Sequence, residues 1–283
     1  MFKNYLATKI DIETIEEGLK TVWKPELNFV FRQKILISST VVVSYDSKYV
    51  YLWIPVRNKR GKYFLRKIPH SLSIPSKYHY AWYAGLWKKI EESLPSSIRK
   101  ASRFVTPRIG GGLLTPFVTL QKSFEMTANP YTTRESYLAT IIHEFGHIYW
   151  SQHKLWWYSN KEENLNYLKM ASQLFQENVT ITLPMSVSLP SPANMGELYA
   201  FCAEYSSSRI FWPDHQKILD LYIRNKLKNL IRLEKKKNLN REDSTIELNK
   251  NPHNSAFTFG KIILTRHPKL WPTILTRRLS LID

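Results

Sequence analysis

Residues 28–68 and residues 130–280 of this chain are patterned on different periods, and no all-α or all-β domain accommodates both. The runs NFVFRQ, ILISSTVVVSY, YVYLWIPV and KYFLRKI, from about Asn28 to Ile68, are rich in the β-branched and aromatic residues that pack on a pleated surface. Asn58-Lys59-Arg60-Gly61 predicts a hairpin turn between the last two of them, and Pro69 and Pro75 close the region. Short helices are expected at about 9–21, 78–93 and 96–103. Gly110-Gly111-Gly112 opens a strand over about 113–122, where Pro116, lacking an N–H, belongs at a sheet edge.

Beyond Asn129-Pro130 the pattern turns helical. Thr132-Thr133-Arg134-Glu135 has the form of a capping box, and Tyr137, Leu138, Ile141, Ile142, Phe145 and Ile148 follow at helical spacing. Asn160 caps a helix over about 161–177, and Pro184, Pro190 and Pro192 lead to another over about 193–209. Trp212-Pro213 breaks it before a basic helix over about 214–237, a polar loop at 238–252, and closing helices at 253–266 and 270–280. The fold class expected is α+β: an N-terminal β-rich region with helices, 1–104, followed by a mainly helical part, 105–283.

Composition narrows the function classes. The 9 glycines set against 9 Trp, 16 Tyr and 13 Phe suit an aromatic core rather than a glycine-punctuated barrel. Hydrophobic residues at 43% and charged residues at 23% exclude a disordered, collagen-like or coiled-coil chain. Lys and Arg number 41 against 23 Asp and Glu, a formal charge of +18 that favours an acidic partner and says nothing of fold. A lone cysteine, Cys202, rules out an internal disulfide framework. Asp11, Glu13, Glu16 and Glu17 are incompatible with a secretory h-region, and apolar runs such as 35–37 and 41–43 are too short to span a bilayer. The expectation is a soluble, cytoplasmic protein without a transmembrane segment.

The chemistry centres on His143-Glu144-Phe145-Gly146-His147. Helical residues four apart differ by about 40° around the axis, so both imidazoles share one face. Two neutral nitrogens so placed can bind one Zn²⁺, with Glu144 beside the ion but not ligating it. A water acidified by the metal then gives its proton to Glu144 and attacks a carbonyl. The competing explanation is a structural histidine pair on a core helix.

HEFGH on a helix, followed by a separate helix bearing Glu197-Leu198-Tyr199-Ala200, resembles the gluzincin group of zinc metallopeptidases, which includes thermolysin-like and lethal-factor-like zincins. The resemblance covers about 105–265 and implies a zincin-like fold, one Zn²⁺ per chain, peptide or protein substrates, and Glu197 as third ligand. It further implies that the strand at 113–122 is the edge that pairs with an extended substrate. His253, at the head of a later helix, stands where such enzymes keep a donor for the oxyanion; a helix-entry histidine facing water is the plainer account of it. Tyr199 and Tyr205 are lesser candidates for that donor. Glu197 has a plainer account too, as the third residue of a helix capped by Asn194, although Ser191-Pro192 offers an alternative start. Glu204, seven residues on, shares its face and suits orienting a ligand histidine or replacing Glu197, with a salt bridge to Arg209 as the alternative.

His153 would complete HExxHxxxxxH, the spacing of metzincins and of SprT-like DNA-repair proteases. On a continuous helix it falls about 240° from His147, off the metal face. Two further stretches concentrate charge: Arg57 to Lys67, with six bases, and 217–241, with nine bases against Asp220 and Glu234. Nucleic acid or another polyanion is the ligand they would take, while solvated faces of a basic protein explain them more simply. Alternatives to the peptidase are therefore a basic, nucleic-acid-associated zincin and a catalytically inactive zincin scaffold.

Overall fold

The computed structural model describes residues 6–32, 40–45, 48–56, 59–69, 114–116, 133–151, 195–240, 243, 252–266, 268–269 and 271–276. The chain divides into two compact units, Met1–Ile148 and Tyr149–Asp283. The expected helices at 78–93, 96–103 and 161–177 lie outside the described residues.

In the first unit α1 spans Lys9–Thr21, as the amphipathic pattern predicts. Its start is a capping box in which Thr8 and Asp11 exchange hydrogen bonds. Four strands follow in sheet order β3-β2-β1-β4. Strand β1 (Val42–Tyr45) pairs antiparallel with β2 (Tyr49–Pro55), and β2 pairs antiparallel with β3 (Tyr63–Pro69). β4 (Leu114–Pro116) runs parallel to β1 and forms an edge, where Pro116 belongs. The unbroken apolar run of β2 is buried on both faces from Val50 to Ile54, as befits a central strand. The β2–β3 connection closes with Lys62 N–H donating to Lys59 C=O, and Gly61 takes the left-handed φ of +69° that this turn requires.

One expected strand is absent. Pro25–Leu27 forms a 3₁₀ turn, and the N–H groups of Val30 and Phe31 both bond to Leu27 C=O, so 28–31 continue as turns. The reason lies in the spacing of the apolar residues: Leu27, Val30 and Phe31 are all buried at offsets of three and four, a helical period and not an alternating one.

Helix α2 spans Arg134–Ser151. It starts one residue later than the Thr132/Glu135 box predicts, because Thr133 and Ser136 make the reciprocal exchange: Ser136 N–H donates to Thr133 Oγ1 and Thr133 N–H to Ser136 Oγ. α1 anchors the start of α2, since Arg134 bonds Thr14 and pairs with Glu17. At Gly18 an added Cβ would lie 2.5 Å from Ile141 Cδ1, so the glycine sets how closely α1 and α2 approach.

In the second unit α3 (Met195–Phe211) is the central element, with α4 (Pro213–Lys237), α5 (Pro252–Arg266) and α6 (Trp271–Thr276) packed on it. α3 is buried almost all round, from Leu198 to Ser208. Pro213 sits at the first turn of α4, and Asn238 ends that helix in the left-handed conformation (φ 48°). Aromatic packing dominates this core: Tyr199 stacks on Tyr149 and Trp150 and meets Trp271 edge-on, while Phe201 lies against Phe257. The architecture of the described residues is α+β, and no helix among them is long and apolar enough to cross a membrane.

Candidate metal centre

The spacing of His143 and His147 acts as expected once α2 forms. Their Nε2 atoms are 3.2 Å apart and the rings are inclined at 73°. Two nitrogens each about 2.0–2.1 Å from a tetrahedral ion are separated by about 3.3 Å, so the observed gap is that of two corners of one coordination sphere. It is also a hydrogen-bond distance between imidazoles of suitable tautomers. One ligand atom from each of His143, His147 and Glu197 lies within 4.8 Å of the others. Two imidazole nitrogens and a carboxylate oxygen suit zinc and its first-row neighbours, not calcium or magnesium. These residues form a group that could hold a metal ion.

Each donor has a local reason for its position. Phe145 is fully buried and flanked by the half-buried Glu144, which places the histidines on a partly accessible side of a helix whose opposite side is core. Glu197 is the third described residue of α3, which spans Met195–Phe211; Ser191, Pro192 and Asn194, which bear on the two expected starts, lie outside the described residues. Tyr199, two residues on, is locked in the aromatic core against Tyr149, Trp150 and Trp271, which fixes the first turn of α3.

The remaining candidates separate. His253 is half-exposed, near the start of α5, with Nδ1 3.8 Å from Glu197 Oε2. Tyr199 is fully buried among aromatic rings. Tyr205 points elsewhere: its hydroxyl donates to Asp220 (2.8 Å) and accepts from Gln216 (2.9 Å) and Lys261 (2.5 Å). Burial pushes the Tyr205 hydroxyl up, reinforced by Asp220 and opposed by Lys261. Burial works to lower the Lys261 ammonium, but its bonds to Asp220 and Tyr205 outweigh this and hold it above its ordinary value. Cys202 is buried and its thiol is pushed well up, the opposite of an activated nucleophile. His153 lies outside the described residues.

Glu204 stands outside the three-donor group, and the imidazole set against it is that of His215. His215 Nε2 is 3.2 Å from Glu204 Oε1, both side chains being fully buried. Among the basic residues of the 57–67 stretch, Lys67 is engaged over the Tyr49 ring at 3.7 Å.

No family model, no curated protein and no solved structure matches this chain.

Proposed function

We propose that this protein is a zinc-dependent metallopeptidase with a zincin-like catalytic part, holding one Zn²⁺ on His143, His147 and Glu197. The observation that carries the reading is the convergence of the three donors, two from successive turns of α2 and one from the first turn of α3. A bound zinc ion supplies Lewis acidity, polarising a substrate carbonyl and lowering the pKa of a water held beside it.

The chain's own residues do the rest. Glu144, on the turn that joins the histidines, accepts the proton of the attacking water and delivers it to the amine that leaves, so no net proton is lost in cleavage. His253 donates a hydrogen bond to the oxyanion from the start of α5, and its half-exposed ring lets it approach a substrate. β4 is the sheet edge along which an extended peptide would lie.

The test is elemental analysis of the purified full chain beside His143→Ala and Glu197→Ala, with Glu144→Gln as the catalytic control. One zinc per chain in wild type, lost or much weakened in both ligand variants, is the expected result. Glu144→Gln should keep its zinc and lose at least about 100-fold in cleavage of a peptide library. No zinc in wild type after reconstitution would leave His143 and His147 as a hydrogen-bonded pair and overturn the proposal. Zinc retained by Glu197→Ala would remove the third ligand.

A further inference from the structure

Helix α4 carries its charge asymmetrically. Arg224, Lys228, Arg232 and Lys235 are all exposed. At about 100° per residue they fall within about 80° of arc, along about 16 Å of helix axis. No exposed acid of α4 lies within the span of that row. Glu234 is buried, and Asp220, one turn before Arg224, is half-buried and held by Lys261 and Gln216. Asp214 remains outward, but it pairs with Lys217 at 2.9 Å, a turn and more before the row begins. Lys235 has an ordinary explanation in the helix dipole, which favours cations in the last turn. Arg224, Lys228 and Arg232 are mid-helix, where like charges four residues apart repel one another and weaken the helix. Such a row is stabilised when an anionic partner meets it.

We infer that this face of α4 docks on the phosphate backbone of a nucleic acid. Successive cations lie about 4.5–6 Å apart along the axis, a continuous positive row that can follow one phosphate backbone. Asn225 and Asn229, exposed beside it, supply neutral donors for the same oxygens. An anionic membrane is the less fitting partner. An interfacial helix inserts its apolar face into lipid, and here that face (Leu219, Ile223, Leu227) is buried in the protein core. What remains outward, Ile218 and Leu221, is too small to insert. The inference does not depend on the metal centre.

Fluorescence anisotropy with a labelled 20-base-pair duplex and a labelled single-stranded RNA tests it on the full chain. Neutralising four phosphates predicts a slope of log K against log salt of about −3.6 for the duplex and about −2.8 for the single strand. Arg224→Glu/Lys228→Glu/Arg232→Glu should weaken binding at least tenfold while circular dichroism and Tm stay near wild type. Lys59→Glu/Arg60→Glu/Lys62→Glu, which reverses equal charge in the exposed β2–β3 turn, should weaken it less than threefold. If the α4 reversal fails to fold, the Gln versions of the same three residues carry the test. Equal loss in both triple variants would reduce the effect to net charge and overturn the inference. So would no binding, capture by phosphatidylserine vesicles but not by either nucleic acid, or displacement of the nucleic acid by polyglutamate at equal charge concentration.

Discussion

At the scale of single residues the sharpest contrast is between two pairs of polar side chains. His143 and His147 were legible because their relation is local: an i, i+4 spacing on any helix brings them together. Glu204 and His215 were not. Eleven residues of continuous helix would separate them by about 16 Å, and the 3.2 Å contact exists only because the chain turns between α3 and α4 at Trp212-Pro213. Since both side chains are fully buried, truncating one leaves the other in a low-dielectric interior with a partner removed. His215→Ala should therefore destabilise the protein by about 3–5 kcal/mol in urea unfolding. Glu204→Leu/His215→Leu should cost less than that single truncation; a cost equal to the sum of two singles would show that the pair is not coupled.

Among the elements, α1, α3, α4 and α5 match the expected helices to within two residues, because each combines a helical apolar period with a stop or start signal. α2 is shifted at its start because the Thr133–Ser136 exchange displaces the Thr132–Glu135 box, a choice between overlapping signals that propensity does not rank. The run NFVFRQ has a β-like composition, but its buried positions follow the period of a turn, and turns are what it forms. How closely two helices approach is likewise an element-scale property. Gly18 meets Ile141 at distances that leave no room for a side chain, with the Cβ and Cγ2 atoms at 3.3 Å as well as the nearer Cδ1, so rotating the tip of Ile141 does not clear the space. Gly18→Val should cost about 1–3 kcal/mol, read as a lowered Tm. An unchanged Tm would mean that α1 does not pack here.

For the molecule as a whole, three raised proton affinities predict a fold that weakens at alkaline pH. Burial raises the Tyr63 hydroxyl to about 12, offset only in part by the bond it accepts from Trp23 Nε1, and Tyr205 and Lys261 are raised as well. A group that holds its proton more tightly when folded contributes stability that is complete below its unfolded pKa and is lost as pH rises through the folded one. All three therefore act in the same direction. Stability should fall from about pH 10 upward, with Tyr63 alone accounting for about 2–3 kcal/mol by pH 12. Urea unfolding between pH 8 and pH 11.5 reads this, and Tyr63→Phe should flatten the alkaline slope. A slope unchanged in that variant would refute the assignment to Tyr63.

The α+β character, the helix order of the second unit, the edge position of Pro116 and the pairing of the two histidines are consequences of local pattern, because period, proline chemistry and i, i+4 spacing act over a few residues. Glu197 could be pointed to only through a family resemblance, since nothing within its own helix distinguishes a capping glutamate from a ligand. Tertiary structure alone decided which histidine met Glu204 and that Glu234 of α4 is buried. The first joins residues from different elements, and each depends on how helices pack rather than on how any one of them is written.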